Sequence, residues 1–177
     1  MATATDAAGG EGERQRAGGR GPSSPLELDD DEQELVEAEL SALLPALRGA
    51  RREGYEALAD AVAEGSVPPE LVVHLQSLLE LALQTARARK LYRAEGEKVL
   101  TGVFRRTPAG RALGRQLGDI NTALKAVAGH ELRSARVGMR TLGHFTVTLR
   151  TDEATLTLAV RPDGMNVESV EVTEGPT

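Results

Sequence analysis

The chain has 177 residues, a length that fits one domain with or without a tail. It contains no cysteine, which excludes disulfides, thiolate metal ligands and a cysteine nucleophile. With two Tyr, two Phe and no Trp, the core must be aliphatic, and few aromatic rings are present to stack a flat ligand. No run approaches the roughly 20 apolar residues of a membrane span, and the N-terminus lacks a signal-peptide core, so a cytoplasmic location is favoured.

The first 25 residues are mostly small, Gly-rich or charged, and they offer little that a core could bury. This composition predicts a disordered tail over residues 1–25. A flexible extension without a specific role is the simplest interpretation, and a tether or docking peptide is the alternative.

A helical region is predicted over residues 26–130, and it opens with an acidic amphipathic helix. The three aspartates at 29–31 suit the positive end of a helix dipole and can cap its free N–H groups. Pro45 should kink or split this helix, and Gly65 is the expected stop of the second piece. Apolar residues recur at spacings of three and four throughout: Leu35, Val36, Leu40, Leu43, Leu44, Leu47, Tyr55, Leu58, Ala59 and Val62.

Residues 66–106 are expected to form one long central helix, capped by Ser66. Its first half is apolar almost all the way round and must be covered on more than one side. Unbroken, it would extend about 60 Å, which is longer than a compact domain of this size is wide. Gly96 and Gly102 each weaken it by about 1 kcal/mol, so its continuity is left open.

A last helix is predicted to begin at Thr107-Pro108, where Thr supplies a cap and Pro suits the first turn. Gly129 is its expected end. Its apolar stripe is close to a heptad seam but lasts only about two heptads, too short for a coiled coil. The stripe consists of Leu113, Leu117, Ile120, Leu124 and Val127.

Residues 131–174 change the apolar period from 3.6 to 2, which indicates β-strands. Alternation at 135–139, 145–149, 156–160 and 165–172 predicts four strands, and a phase slip in the last predicts a β-bulge. The connections are short, and the Pro162-Asp163-Gly164 turn is the strongest of them. We expect an antiparallel meander with its Val/Leu face packed on the helices and its Thr/Arg face towards water or a partner.

Charge is segregated along the chain, although the formal net charge is only −6. Residues 1–66 carry a net −9, residues 67–150 a net +8, and residues 151–177 a net −5. Three explanations remain open: the acidic first helix neutralises the basic half of the central helix, the basic region binds an acidic protein, or it binds nucleic acid. The pI of 5.2 and the absence of interleaved aromatic residues weigh against nucleic acid.

No catalytic, metal or cofactor motif stands out. We therefore expect no catalytic residues, no metal site and no cofactor. The histidines His74, His130 and His144 lack metal-ligand spacing. No P-loop, dinucleotide fingerprint or nucleophile elbow is present. If the protein is an enzyme, a site assembled in space around His130 with Glu131, or around His144, is where to look first.

The sequence therefore predicts an α+β protein, in which N-terminal helices, including one long central helix, precede a C-terminal four-stranded antiparallel meander. The favoured function is a non-enzymatic, homo-oligomeric protein–protein interaction module, either a scaffold or an accessory subunit of a larger complex. The alternative is a nucleic-acid-binding regulator that uses the basic cluster from Arg87 to Arg115.

Two sets of residues carry the favoured hypothesis. Self-association is assigned to the apolar half of the central helix, because it has more apolar surface than a thin domain can cover: Leu71, Leu75, Leu78, Leu79 and Leu83. Contact with an acidic protein partner is assigned to the basic half: Arg87, Arg89, Lys90, Arg93, Arg105 and Arg106.

Overall fold

A computed structural model describes residues 24–162 and 164–172. Five helices precede a four-stranded antiparallel sheet, which confirms the α+β class. The predicted tail lies outside the described residues apart from Ser24 and Pro25. In chain order the elements are β1 (Leu26–Glu27), α1 (Asp30–Leu43), α2 (Gly49–Ala63), β2 (Ser66–Val67), α3 (Val72–Gln84), α4 (Arg87–Arg105), α5 (Pro108–Leu124), β3 (Leu132–Thr141), β4 (His144–Thr151), β5 (Ala154–Arg161) and β6 (Gly164–Val172).

The start of α1 and its end follow directly from local chemistry. Asp29 and Glu32 form a capping box, in which each side chain accepts a hydrogen bond from the other residue's backbone N–H. Pro45 ends the helix as predicted, because it sits in a short 3₁₀ turn at Leu44–Ala46 that separates α1 from α2. Gly65 has φ +76°, the left-handed conformation expected of a helix stop.

The expected single helix over residues 66–106 is wrong in two places. Ser66 does not cap a helix, because it lies in β2, which pairs with β1 through Leu26↔Val67 and Glu27↔Ser66. The remaining segment divides into α3 and α4 at Ala86, whose backbone is left-handed with φ +53°. The break lets α4 fold back against α3, so that both helices bury their apolar faces in one core.

The two glycines expected to weaken the central helix are not where it breaks. Gly96 is helical and buried inside α4, beside Leu35 of α1, and a Cβ at this position would collide with Tyr92. Arg93 instead leaves the helical conformation, with φ 62° and ψ −162°. The missing side chain of Gly96 therefore makes room for Tyr92 of the same helix, next to the departure at Arg93.

The helices surround the first of two cores. The largest fully buried side chains of this core come from α1, α2, β2, α3 and α4. They are aliphatic, as the composition requires, and they are Val36, Leu40, Leu58, Val62, Val67, Val72, Leu75, Leu78, Leu79, Leu100 and Val103.

The sheet has the order β3-β4-β5-β6 with every neighbouring pair antiparallel. The β-bulge predicted for the last strand is confirmed at Glu168, which is the extra residue between Leu158↔Val167 and Thr157↔Ser169. Two further register shifts, at Arg133 and Arg140 in β3, were not predicted.

A second core forms where α5 packs on the sheet. Ile120 and Ala123 of α5 bury Leu156 and Leu158 of β5, with Val147 and Leu149 of β4 and Met165 and Val167 of β6 partly buried around them. The helix contacts β6 and β5 but leaves the opposite edge of the sheet bare. Several helices were expected to cover the Val/Leu face of the sheet. In the part of the chain that the structure describes, only α5 packs on this face, and α5 is too narrow to cover all four strands.

Candidate interaction surface

The leucines assigned to self-association lie inside the chain's own core. Leu75, Leu78 and Leu79 are 0–2% exposed, and Leu71 and Leu83 pack partly buried against the same core. The apolar surface that motivated the assignment is covered by α1, α2 and α4 rather than by a second copy. These side chains are therefore not a free contact surface in this fold. Among the large apolar residues of α3, Val73 and Leu81 are exposed.

One cation of the partner-binding set belongs to a buried polar network. Arg87 donates from Nε to both carboxylate oxygens of Glu39, at 3.0 and 3.2 Å, and the Tyr92 hydroxyl donates to the same carboxylate at 2.8 Å. Glu39 is only 4% exposed, so its charge is stabilised mainly by these donors. Burial, followed by the hydrogen bond to Glu39, raises the pKa of Tyr92 to about 12.

A second ion pair joins the acidic first helix to the end of α4. Arg106 donates to the carboxylate of Glu32 and to the backbone carbonyl of Glu27. Together with the Arg87–Glu39 pair, this contact supports the neutralisation of the basic region by α1.

The other four members of the partner-binding set stay at the surface. Arg89 lies 3.8 Å from Glu97 and is largely exposed, so this pair contributes little. Lys90, Arg93 and Arg105 are exposed and form no ion pair with the carboxylates of residues 24–162 and 164–172.

The sheet presents an apolar strip that α5 does not reach. The register pairs Val137 with Val147, and Val147 packs against α5, so both side chains lie on the α5 face. Met139 and Phe145 are also partners on that face. We call Val137, Met139, Leu142 and Phe145 the open strip; they are 73%, 64%, 92% and 39% exposed, with Leu142 at the tip of the β3–β4 turn.

The open strip adjoins an unpaired sheet edge. All ten residues of β3 are exposed, and its outer side has no neighbouring strand among the described residues. Arg136 alternates with the apolar residues and therefore lies on the opposite face. A charged side chain in an edge strand discourages simple edge-to-edge pairing, so the face is the better candidate for contact.

A second uncovered apolar surface lies on α5. Ile120 and Leu124 belong to the apolar stripe of α5 and pack on the sheet. Leu113 and Leu117 extend the same stripe towards the start of α5, but their side chains are exposed. Gly114 and Gly118 flank them with open space around each backbone. Another chain can approach this part of the helix closely. We call Leu113 and Leu117 the free stripe.

Two of the three histidines, His74 and His130, lie in different parts of the fold. The ring of His74 packs against Tyr55 in a tilted arrangement, with ring centroids 5.2 Å apart. The imidazole of His130 lies near the β4–β5 turn, with Nδ1 3.8 Å from Asp152 and 3.6 Å from Glu153. Those three side chains bring ligand-type atoms within 4.8 Å of one another, and both carboxylates are exposed.

Comparisons with protein-family models, with curated proteins and with solved structures find no match for this chain. Within residues 24–162 and 164–172, no helix combines the length and apolarity needed to cross a membrane.

Proposed function

We propose that this protein is a non-enzymatic interaction module that self-associates through its open strip, and that it serves as a scaffold or accessory subunit. The observation that carries the proposal is the open strip itself. Val137, Met139 and Phe145 share one sheet face, Leu142 lies in the adjoining turn, and the four side chains are 39–92% exposed. Contiguous apolar exposure of this kind marks contact surfaces more often than scattered single residues do.

The chemistry of the strip favours a second copy as its occupant. Val137, Met139 and Phe145 share a face on which the ladder partners are also apolar, whereas Arg136 and Arg150 lie on the opposite face. An apolar surface of a second copy can therefore meet the open strip without burying an unpaired charge. A partner recognised by its charge would instead contact the opposite face.

The free stripe of α5 gives the second copy a complementary surface. It is exposed on a helix and flanked by glycines, while the open strip is part of a sheet face. A two-fold dimer needs each copy to offer both halves of such a pair. In the arrangement we propose, Leu113 and Leu117 of each copy pack on the open strip of the other.

The exposed cations of α4 support the further role of holding an acidic protein. Lys90, Arg93 and Arg105 remain outside the contacts between α1 and α4. The nucleic-acid alternative has weaker support, because Arg87 and Arg106 of the same cluster are already paired with Glu39 and Glu32.

Light scattering of the purified full chain over a concentration series tests the proposal. We expect the mass of a dimer at about 10 µM and dissociation only well below that concentration. A monomer mass throughout the micromolar range would overturn self-association.

A further inference from the structure

The polar face of the sheet carries an ion pair between its two edge strands. Arg140 and Glu168 are each the extra residue of a β-bulge, one in β3 and one in β6. Nη1 of Arg140 lies 2.7 Å from Oε1 of Glu168, although the strands are three positions apart, roughly 14 Å in a flat sheet. The bulges turn both side chains inwards, above the small ladder partners Thr146 and Ala159.

A cavity of about 310 Å³ opens beside this ion pair. Its lining includes Arg140 from β3, His144 and Thr146 from β4, and Arg161 from β5. Two guanidinium groups and an imidazole therefore converge from three adjacent strands. The volume is at the lower end of the range for small-molecule sites, which suits a compact ligand.

The donors of this cavity are only partly used by the protein. The contact with Glu168 engages one nitrogen of Arg140 and leaves its other N–H groups available. Arg161 takes part in no ion pair within residues 24–162 and 164–172. Both arginines can thus donate to an added anion.

The imidazole of His144 is held in place by its own turn. Its Nδ1 lies 3.1 Å from Thr141 Oγ1 and 3.3 Å from the carbonyl oxygen of Leu142. Nδ1 either donates to the Leu142 carbonyl or accepts from the Thr141 hydroxyl, depending on the tautomer. In the second case the neutral ring carries its proton on Nε2 and can donate it to a ligand oxygen. The hydroxyl of Thr146 adds a fourth donor to the lining.

We infer that this cavity binds a phosphate group, either as the free ion or as the headgroup of a small phosphomonoester. Guanidinium groups bind phosphate through paired N–H donors, and the imidazole and hydroxyl fill the remaining oxygen positions. Glu168 competes with the ligand for Arg140, so the site is weakened by its own carboxylate. Phe145 of the open strip also lines the cavity, but the proposed ligand contacts are made by Arg140, His144, Thr146 and Arg161. Thr146 and Ala159 lie on the face opposite Val137 and Met139, so phosphate binding is proposed independently of self-association.

Amide chemical-shift titration of the full chain tests the inference, with inorganic phosphate and ribose 5-phosphate as the two probes. At about 100 mM salt we expect saturable shifts in β3, β4 and β5 with a Kd of about 1 mM or tighter. Arg161→Gln should weaken binding about tenfold or more, whereas Glu168→Gln should tighten it about threefold by releasing Arg140. Arg150→Gln, an exposed arginine on the same face but outside the cavity, is the matched control.

The two probes separate the possible sources of the phosphate. Equal affinity assigns the site to the free ion, and tighter binding of the ester assigns it to a phosphomonoester. Absence of saturable shifts with both probes would overturn the inference. So would equal affinities of the wild-type chain and the Arg161→Gln and Glu168→Gln variants, because binding would then be adventitious.

Discussion

The carboxylate of Glu39 in α1 and the guanidinium of Arg87 in α4 form the best-buried ion pair that the structure describes. Glu39 is 4% exposed, and Nε of Arg87 lies 3.0 Å from its Oε2. The pair spans the junction at Ala86 where the expected long helix breaks. It therefore fixes the start of α4 against α1 at the point where the backbone changes direction.

Removal of Arg87 should destabilise the fold by about 2 kcal/mol, because Glu39 would keep its burial and lose its charged donor. The figure is moderate because Tyr92 still donates to Glu39 and the arginine side is half exposed to water. Urea denaturation of Arg87→Met measures the loss. The control is Arg89→Met, whose exposed partner lies 3.8 Å away and whose loss should cost less than about 0.5 kcal/mol. Equal losses in the two variants would contradict a stabilising role for the network.

The raised pKa of Tyr92 predicts a stability change at alkaline pH. Its pKa is about 12 in the folded chain against 10.0 for the unperturbed group. The folded state thus retains a proton that the unfolded state loses. The contribution to stability is fully present below pH 10 and is lost as the pH rises from 10 to 12.

Absorbance titration of the tyrosinate in a Tyr55→Phe background measures this pKa directly, since the chain has two tyrosines. Glu39→Gln should lower the measured value, because the hydrogen bond to the carboxylate is its second cause after burial. An unchanged titration in Glu39→Gln would show that burial alone is responsible.

The helix ends that the sequence predicts well depend on local chemistry. The capping box at Asp29, the split at Pro45, the stop at Gly65 and the cap at Thr107 each involve residues within a few positions. The break at Ala86 has no such signal, because alanine is the strongest helix former. It arises from burial of the apolar faces of α3 and α4 against each other, which is a property of the whole fold.

The break at Ala86 and the departure at Arg93 predict stabilising glycine substitutions. Ala86 has φ 53° and Arg93 has φ 62° with ψ −162°, conformations that favour glycine. Each replacement by Gly removes about 1–2 kcal/mol of strain, offset by about 0.5–1 kcal/mol of unfolded-state entropy. We expect a net gain of about 0.5–1 kcal/mol in thermal or urea unfolding. Ala94→Gly, at an exposed helical position in α4, should instead lose about 1 kcal/mol.

The candidate surface was less accessible to sequence reasoning than the fold. The alternation at Val137 and Met139 correctly indicates a strand with an apolar face. It does not show how many strands the covering helix reaches, because that depends on the position of α5 across the sheet. The leucines of α3 were assigned to self-association because a continuous apolar run indicates burial. The run does not indicate whether the same chain or a second copy buries it.

Substitutions in the open strip test whether the protein self-associates through the sheet or through α3. The double variant Val137→Glu and Met139→Glu places two charges in the proposed interface, where no opposite charge awaits them, and should raise the dimer Kd about 100-fold or more. Both residues are well exposed, so the monomer should keep its helical and sheet content by circular dichroism.

The matched control is Val73→Glu, which changes a 57% exposed valine on α3 and should leave the dimer intact. Leu117→Glu should act like the strip variant, because the free stripe is the reciprocal half of the same contact. If Val73→Glu dissociated the dimer and the Val137→Glu, Met139→Glu variant did not, the interface would lie on α3 and not on the open strip. Sedimentation velocity of the four proteins at one concentration decides between these outcomes.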